Sequence, residues 1–218
     1  MSGSASAFDL YAEAYDKWFD TSEGKVLFKM EVESVRLLTK DIKRPFLEIG
    51  VGTGRFAKEL DIEFGIDPSS KLLEFALKRG IKVRKAKGEK LPFKDKLFGG
   101  VFLLFTLCFV EDPEIVLTEA KRVLKIGGGS IVGIINKESP WGQLYLKKKN
   151  EDHPIYKYAR FYSINEVVEM INKAEMTVEA YSSILCQSPS QIPYEESVHH
   201  ELIENAGFVC ILARKIPS

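Results

Sequence analysis

The sequence is poor in cysteine and has no excess of charge of either sign. Only three cysteines occur, far apart, so the close pairs that structural zinc needs are missing, and we predict no metal site. This low cysteine content suits a reducing, cytoplasmic setting. The 31 basic and 31 acidic residues cancel, so no global field draws the chain to nucleic acid or to an anionic membrane. A small molecule is therefore the expected partner.

Long hydrophobic runs are also missing. The longest, residues 101–110, is about half of the roughly 20 residues that a membrane-spanning helix needs, and it predicts a buried strand instead. Residues 1–7 lack the basic and apolar regions of a signal peptide, and we expect them to be a disordered end. With 45% hydrophobic and 28% charged residues, the chain suits one globular domain. It is expected to be a monomer or a homodimer without membrane partners.

Predicted strands and helices alternate along most of the chain. This order implies a mostly parallel sheet that is covered by helices on both faces. The predicted strands are 46–49, 62–66, 82–87, 101–107, 130–135, 177–184 and 208–215. The predicted helices are two within 11–39, broken near 21–24, and then 55–60, 70–79, 113–125, 141–149 and 163–175. In such sheets, ligands bind beyond the carboxyl ends of the strands.

Three alternate glycines, Gly50, Gly52 and Gly54, follow the first predicted strand. Glycine lets the backbone turn sharply and approach a ligand, so the loop predicts a nucleotide-like ligand. The dinucleotide fingerprint requires a small residue where this chain has Arg55. The carboxylate of Glu48 is unfavourable beside a pyrophosphate but suits a cationic group. S-adenosylmethionine carries both an ammonium and a sulfonium.

Asp67 closes the second predicted strand, less than about 20 residues after the glycine loop. A carboxylate at this place can accept hydrogen bonds from both hydroxyls of a ribose. Nicotinamide dinucleotides and S-adenosylmethionine share that requirement, so Asp67 does not separate them. The structural alternative is that Asp67 caps the helix that begins near Ser70.

Four segments resemble, in order, the motifs of class I S-adenosylmethionine-dependent methyltransferases, specifically the type 11 small-molecule group. They are Glu48-x-Gly50-x-Gly52-x-Gly54, Gly65-Ile66-Asp67-Pro68-Ser69, Leu91-Pro92-Phe93 and Arg122-Val123-Leu124-Lys125-x-Gly127-Gly128. Two further segments resemble the lid and the region after the fifth strand, so the likeness covers nearly the whole chain. They are Tyr15-Asp16-x-Trp18-Phe19 and Ala159-Arg160-Phe161-Tyr162-Ser163.

The resemblance implies one methyltransferase domain over residues 1–218, an α/β three-layer sandwich with a seven-stranded, mostly parallel sheet and an antiparallel last strand. It implies a helical cap over about 8–40, a cofactor-binding core over 45–136, and an acceptor-side insertion with the C-terminal strands over 137–218. The implied reaction converts S-adenosylmethionine to S-adenosylhomocysteine and methylates an N, O or C nucleophile of a small molecule. The residues expected at the cofactor are Glu48, Gly50, Gly52, Thr53, Gly54, Asp67, Pro68, Gly88, Glu89, Thr106 and Tyr15.

Aromatic residues outside the core motifs are candidates for an acceptor pocket. Methyl transfer depends on alignment and exclusion of water more than on an acid–base pair, so no catalytic residue is assigned. The candidates are Tyr11, Trp18, Cys108, Trp141, Tyr145 and Tyr162. Such aromatic rings can enclose a cation or a ring, and the alternative is that they are ordinary core residues.

Three positions depart from the pattern of the family. Lys87 stands where the family has an adenine-binding acid or small polar residue, Gly99 replaces an aspartate before the fourth strand, and Cys108 stands where histidine is common. These departures motivate a non-catalytic S-adenosylmethionine-binding protein as one alternative. The other, a nicotinamide-dependent oxidoreductase, is disfavoured by Arg55 and Glu48.

Overall fold

Seven α-helices and seven β-strands make up most of the chain in the computed structural model, which describes residues 3–189 and 192–217. The helices are α1 (Gly3–Trp18), α2 (Ser22–Leu38), α3 (Arg55–Glu59), α4 (Ser70–Lys78), α5 (Pro113–Val123), α6 (Pro140–Asn150) and α7 (Ile164–Lys173). The strands are β1 (Phe46–Ile49), β2 (Phe64–Asp67), β3 (Lys82–Lys85), β4 (Phe98–Leu104), β5 (Leu124–Ile135), β6 (Thr177–Ile184) and β7 (Phe208–Arg214). A short 3₁₀ turn covers Tyr156–Tyr158.

All seven strands lie in one sheet with the order β3-β2-β1-β4-β5-β7-β6. Neighbouring strands are parallel from β3 to β5, whereas β7 runs antiparallel to both β5 and β6. The predicted sheet with its antiparallel last strand is therefore confirmed. The chain winds outward from β1 to β3, then returns to β4 on the other side of β1. The carboxyl ends of β1 and β4 meet at this reversal, which is where open α/β sheets bind ligands.

Helices cover both faces of the sheet because its central strands are apolar on both sides. Every residue of β1 and β4 is buried. One core cluster includes Met30 of α2, Phe56 of α3 and Ala76 of α4. A second cluster includes Val116 of α5 and Val167 of α7. The result is a sandwich of three layers, and within the described ranges no helix is long and apolar enough to cross a membrane.

The helix predicted over 113–125 is expected from the sequence to stop at the glycine-rich segment 127–129, and this expectation is wrong. Helix α5 ends before this segment, and β5 runs through it. A Cβ at Gly129 would lie 2.8 Å from the side chain of Ile42, so the glycine makes room for close packing over the sheet. The other predicted elements are present, with ends displaced by a few residues, as is usual where helices and strands fray.

Gly99 also has a packing role. A Cβ at this position would lie 1.7 Å from the carbonyl oxygen of Lys43, so no side chain fits there. The absence of the aspartate that the family commonly carries at this position is therefore explained by a close backbone approach.

The predicted disorder of residues 1–7 is wrong for residues 3–7, and residues 1 and 2 lie outside the described ranges. Residues 3–7 form the first turns of α1. Ala5 is buried, and the hydroxyl of Ser4 donates to the carbonyl of Phe109 at 3.3 Å. Alanine is the strongest helix former, so a composition that resembles a linker here forms a packed helix.

Candidate active site

A cavity of about 510 Å³ opens at the carboxyl ends of β1, β2 and β4. Its volume lies in the range of roughly 300–1,000 Å³ that is usual for ligand sites. The sheet contributes Gly50 after β1, Asp67 at the end of β2, and residues 104–111, which begin with the last residue of β4. Helices α1, α2 and α6 and the 3₁₀ turn complete the walls. The glycine loop, the acidic end of β2 and the aromatic segments therefore line the same cavity.

Asp67 is held rigidly at the edge of this cavity. One carboxylate oxygen accepts the backbone N–H of Ser69 at 2.8 Å, and the other accepts that of Gly52 at 3.0 Å. Burial raises the pKa of Asp67 to about 6, although both backbone hydrogen bonds oppose the shift. Each oxygen keeps a further lone pair. The carboxylate can therefore accept two more hydrogen bonds from a ligand.

The three glycines of the loop have different surroundings. Gly52 has a φ of +53°, and a Cβ built there meets nothing within 4 Å, so its open side faces ligand space. A Cβ at Gly50 would lie 2.5 Å from the hydroxyl of Thr106, and one at Gly54 would lie 2.9 Å from Ala76 of α4. Gly54, which the sequence predicts at the cofactor, does not line the cavity and instead permits close helix packing.

Glu48 and Thr53 line a smaller void of about 30 Å³, which shares Tyr15, Gly50 and Gly52 with the main cavity. Glu48 is buried, and in the described part of the chain its Oε2 atom has no hydrogen-bond partner. Burial, followed by the nearby charge of Asp67, raises the pKa of Glu48 well above its usual range. A buried carboxyl group with a free oxygen fits the ammonium of a ligand.

Lys87 and Glu89 shape the loop after β4. The Lys87 ammonium pairs with Glu111 at 2.8 Å, so a carboxylate partly offsets its charge at the cavity wall. One oxygen of Glu89 accepts the backbone N–H groups of Glu111 and Asp112 at 2.9 and 3.3 Å. Both residues line the cavity, as do the other expected cofactor residues Pro68, Gly88 and Thr106.

All six acceptor-pocket candidates line the cavity: Tyr11, Trp18, Cys108, Trp141, Tyr145 and Tyr162. Two of them have additional structural roles. Trp141 is only 3% exposed, and its indole N–H donates to the carbonyl of Gln187 at 2.8 Å. Burial raises the pKa of the Cys108 thiol to about 12, so Cys108 is a neutral wall residue rather than a thiolate nucleophile.

An ion-pair cluster fastens α1 over the cavity. Asp16 of α1 receives two hydrogen bonds from Arg55, both at 3.0 Å, and one from Arg79 at 2.9 Å. Although burial opposes it, hydrogen bonds from these two arginines lower the pKa of Asp16 to about 2. Arg55, the residue that does not fit a dinucleotide loop, thus binds the cap.

Helix α2 is less of a cap than α1. Its Ser34 hydroxyl lies 2.8 Å from that of Ser182 in β6, and most of its buried side chains join the core. Phe19, between the two helices, is also a core residue, with its ring 6.3 Å from that of Phe56. The part of 8–40 that lies over the cavity is therefore mainly α1, together with two glutamates of α2, Glu23 and Glu31.

The sequence reasoning missed Glu31, although a signal was present. Leu27, Glu31 and Val35 follow one another at four-residue spacing, so the carboxyl group lies in the apolar stripe of α2. Glu31 is 6% exposed and lines the cavity. A charged residue type on a buried stripe is uncommon and marks a candidate functional position.

We expect Asp16→Ala to loosen α1 without unfolding the sheet. Loss of the three hydrogen bonds should accelerate amide exchange over α1 at least about tenfold, an opening free energy lower by about 1.4 kcal/mol. Exchange in α5 should stay unchanged. The matched control is Glu13→Ala, because Glu13 pairs with Lys17 on the exposed side of the same helix, where ion pairs contribute little. Equal exchange in both variants would contradict the fastening role.

We expect the stability difference between Glu31→Gln and wild type to depend on pH in the ligand-free protein. Burial raises the pKa of Glu31 from 4.5 to about 8. Because the folded-state pKa is raised, the protonated Glu31 contributes to the free energy of unfolding. This contribution is complete below pH 4.5 and is lost as the pH rises through 8, by at most about 1.4 kcal/mol per pH unit. The melting temperature of the variant should therefore rise relative to wild type between pH 5 and 8. Parallel melting curves would show that Glu31 is solvated.

The fold and the cavity together define an α/β enzyme that binds an adenosyl cofactor in the manner of the methyltransferases. A family model described as a methyltransferase domain matches residues 47–132. The chain is similar to a solved structure from Thermotoga maritima, described as a SAM-dependent methyltransferase and possible histamine N-methyltransferase. The two are 38% identical, the match covers 96% of this chain and 98% of that one, and the TM-score is 0.88.

Two curated relatives extend the comparison. An uncharacterized protein of Methanocaldococcus jannaschii is 43% identical over 97% of this chain and 100% of its own length. A demethylmenaquinone methyltransferase of Thermotoga maritima is 32% identical over 57% of this chain and 58% of its own length. The chain belongs to the class I S-adenosylmethionine-dependent methyltransferases. Its methyl donor is S-adenosylmethionine, and the nicotinamide alternative is set aside.

Proposed function

We propose that the protein methylates a small organic molecule that enters the cavity under α1. The cavity has room for a ligand beside the glycine loop, and aromatic side chains from α1 and α6 line it. Two similar proteins support this proposal, because they are described as a possible histamine N-methyltransferase and a demethylmenaquinone methyltransferase, and histamine and demethylmenaquinone are both small molecules.

The cofactor residues have distinct proposed roles. Asp67 accepts the two ribose hydroxyls with the oxygens that its backbone hydrogen bonds hold in place. Gly50 and Gly52 let the backbone approach the ligand. The free oxygen of Glu48 faces the cationic amino acid end, and Tyr15 borders both the small void and the main cavity. Gly88 and Glu89 form the wall for the adenine.

Catalysis in this cavity rests on alignment. When bound, S-adenosylmethionine supplies an electrophilic methyl group on its sulfonium. The chain contributes orientation of the two ligands and exclusion of water, which account for much of the barrier reduction in a displacement of this type. Helix α1 provides the exclusion because Ala5, Phe8 and Tyr15 line the cavity from above.

The observation that carries this proposal is that Gly52, Asp67 and several aromatic side chains line one cavity, which α1 covers. The test is a screen of small-molecule acceptors with cofactor that carries a radiolabelled methyl group, including histamine and a soluble quinol as probes. Calorimetry with S-adenosylhomocysteine accompanies the screen. Cofactor binding without transfer to any acceptor would support the non-catalytic alternative.

A further inference from the structure

The cavity holds a buried carboxyl group that the binding of the cofactor does not use. Glu31 of α2 is 6% exposed, and across the described residues its side chain makes no hydrogen bond or ion pair. Burial alone accounts for its raised pKa, with no opposing contribution from a nearby cation. A buried ionisable group without a partner is costly for folding. Such a group at a cavity wall indicates a ligand that satisfies it.

The groups that surround Glu31 are aromatic or neutral. Tyr15 of α1, Tyr145 of α6 and Tyr156 of the 3₁₀ turn line the same cavity as Glu31. A negative charge on Glu31 also contributes to the raised pKa of these phenols and of the buried Cys210 of β7. Burial raises the pKa of all four, so each is uncharged at neutral pH. Among the residues that the structure describes, no basic side chain contributes to the pKa of Glu31, and the groups coupled to it are phenols and a thiol.

A cation already lies on two of these rings. The Lys148 ammonium is 4.9 Å from the centre of the Tyr145 ring and 5.9 Å from that of Tyr156. The two rings contact each other edge to face at 4.8 Å. The lysine is therefore held by aromatic faces and does not neutralise Glu31. Aromatic rings beside a carboxylate form a site that favours an organic ammonium.

We propose that the methyl acceptor is an organic amine, and that Glu31 binds its nitrogen among Tyr15, Tyr145 and Tyr156. This inference rests on the proposed function, since it names the acceptor class of the same cavity. The amine reaches the cavity as an ammonium, and one proton is shared between it and Glu31. When the proton resides on Glu31, the nitrogen has a free lone pair and can attack the methyl carbon.

Methyl transfer to the amine is a displacement at the sulfonium. The nitrogen lone pair forms the new N–C bond, the C–S bond breaks, and its electron pair stays on sulfur as S-adenosylhomocysteine leaves. The positive charge moves from sulfur to the methylated nitrogen. Glu31 then holds the proton that the ammonium gave up, and the carboxylate that remains after its release to solvent can bind the next ammonium. The pKa of about 8 in the empty cavity lies near neutral pH, as an efficient proton acceptor requires.

The test uses three probes that share one ring and differ in one group: phenethylamine, 2-phenylethanol and phenylacetate. Binding is measured calorimetrically to the full chain saturated with S-adenosylhomocysteine. We expect phenethylamine to bind best to wild type, and Glu31→Gln to weaken it at least about tenfold. Glu33→Gln is the matched control, because Glu33 is exposed on the same helix. The variant and the control should bind S-adenosylhomocysteine like wild type.

The number of protons released on amine binding is a second measurement, and it would not change if Glu31 had a purely structural role. At pH 7 the empty cavity holds Glu31 mostly protonated, so binding of an ammonium should release about one proton. Calorimetry in buffers with different ionisation enthalpies measures this number, and Glu31→Gln should reduce it to near zero. The other acidic and basic groups that line the cavity are the same in both proteins, so the difference in proton release reports on Glu31: they are Glu23, Asp67, Lys87, Glu89, Glu111, Lys148 and His153.

Several results would overturn the proposal while leaving the proposed function intact. These are equal or tighter binding of phenylacetate or 2-phenylethanol, no binding of any probe, or amine binding that Glu31→Gln leaves unchanged. A transfer assay that labels alcohols or carbon acids but no primary amine would have the same meaning. Failure of wild type to bind S-adenosylhomocysteine would instead contradict the proposed function itself.

Discussion

Asp67→Ala should weaken the binding of S-adenosylhomocysteine by more than about a hundredfold. Two charge-assisted hydrogen bonds to the ribose, at roughly 1.5–3 kcal/mol each, correspond to at least that ratio of dissociation constants. The variant also removes the acceptor that holds the backbone N–H of Gly52. Calorimetry at pH 7.5, where the carboxyl group is ionised, measures the effect.

The matched control for Asp67→Ala is Asp112→Ala. The Asp112 carboxylate also accepts two backbone N–H groups, those of Glu114 and Ile115, but it caps α5 and does not line the cavity. This control should lose stability and keep its affinity. If a folded Asp67→Ala protein binds S-adenosylhomocysteine as tightly as wild type does, the ribose assignment is wrong.

Gly52→Val should abolish cofactor binding without preventing folding. A Cβ at Gly52 meets no atom of residues 3–189 or 192–217 within 4 Å, so the new side chain would project into the space that the ligand needs. A β-branched residue at positive φ also strains the loop. We expect no binding of S-adenosylhomocysteine by calorimetry and a melting temperature that the ligand no longer raises.

Gly127→Val is the control that distinguishes backbone strain from steric blocking of the ligand site. Gly127 has a φ of +75° and open space around its Cβ position, as Gly52 has, but it lies away from the cavity. The two variants should lose similar stability, and only the one at Gly52 should lose the ligand. Retained affinity in Gly52→Val would move the cofactor away from this loop.

The fold could be predicted from the sequence because its signals are local. Apolar strands that alternate with helical stretches predict a parallel sheet, and the resemblance adds the antiparallel last strand. Residues 127–129 show the limit of this reasoning. Glycine often ends a helix, yet β5 runs through these residues. A Cβ at Gly128 or Gly129 would crowd neighbouring atoms, and Gly127 has a positive φ, and neither feature can be seen in the sequence. Residues 3–7 show the same limit, because contacts with distant parts of the chain hold that helix.

The candidate site was predictable where motifs carry it and was missed where tertiary contacts do. Gly52 and Asp67 follow from their places at the ends of strands. The role of Arg55 in holding α1 requires Asp16, which is 39 residues away in sequence. In the sequence Glu31 resembles any helix glutamate, and only its position on the apolar face of α2 distinguishes it. The contact between the rings of Tyr145 and Tyr156 depends on the 3₁₀ turn, which no hydrophobic pattern in the sequence predicts.

Ligand supply should govern how long this enzyme survives in a cell. Glu31, Glu48 and Asp67 place three buried carboxyl groups at one cavity and the void beside it, and over residues 3–189 and 192–217 none forms an ion pair. Such residues favour ligand binding but lower the stability of the ligand-free protein. A ligand at a hundred times its dissociation constant raises stability by about 2.7 kcal/mol. A cell short of methyl donor would therefore expose the empty enzyme to proteolysis, so the amount of catalyst would fall together with its substrate.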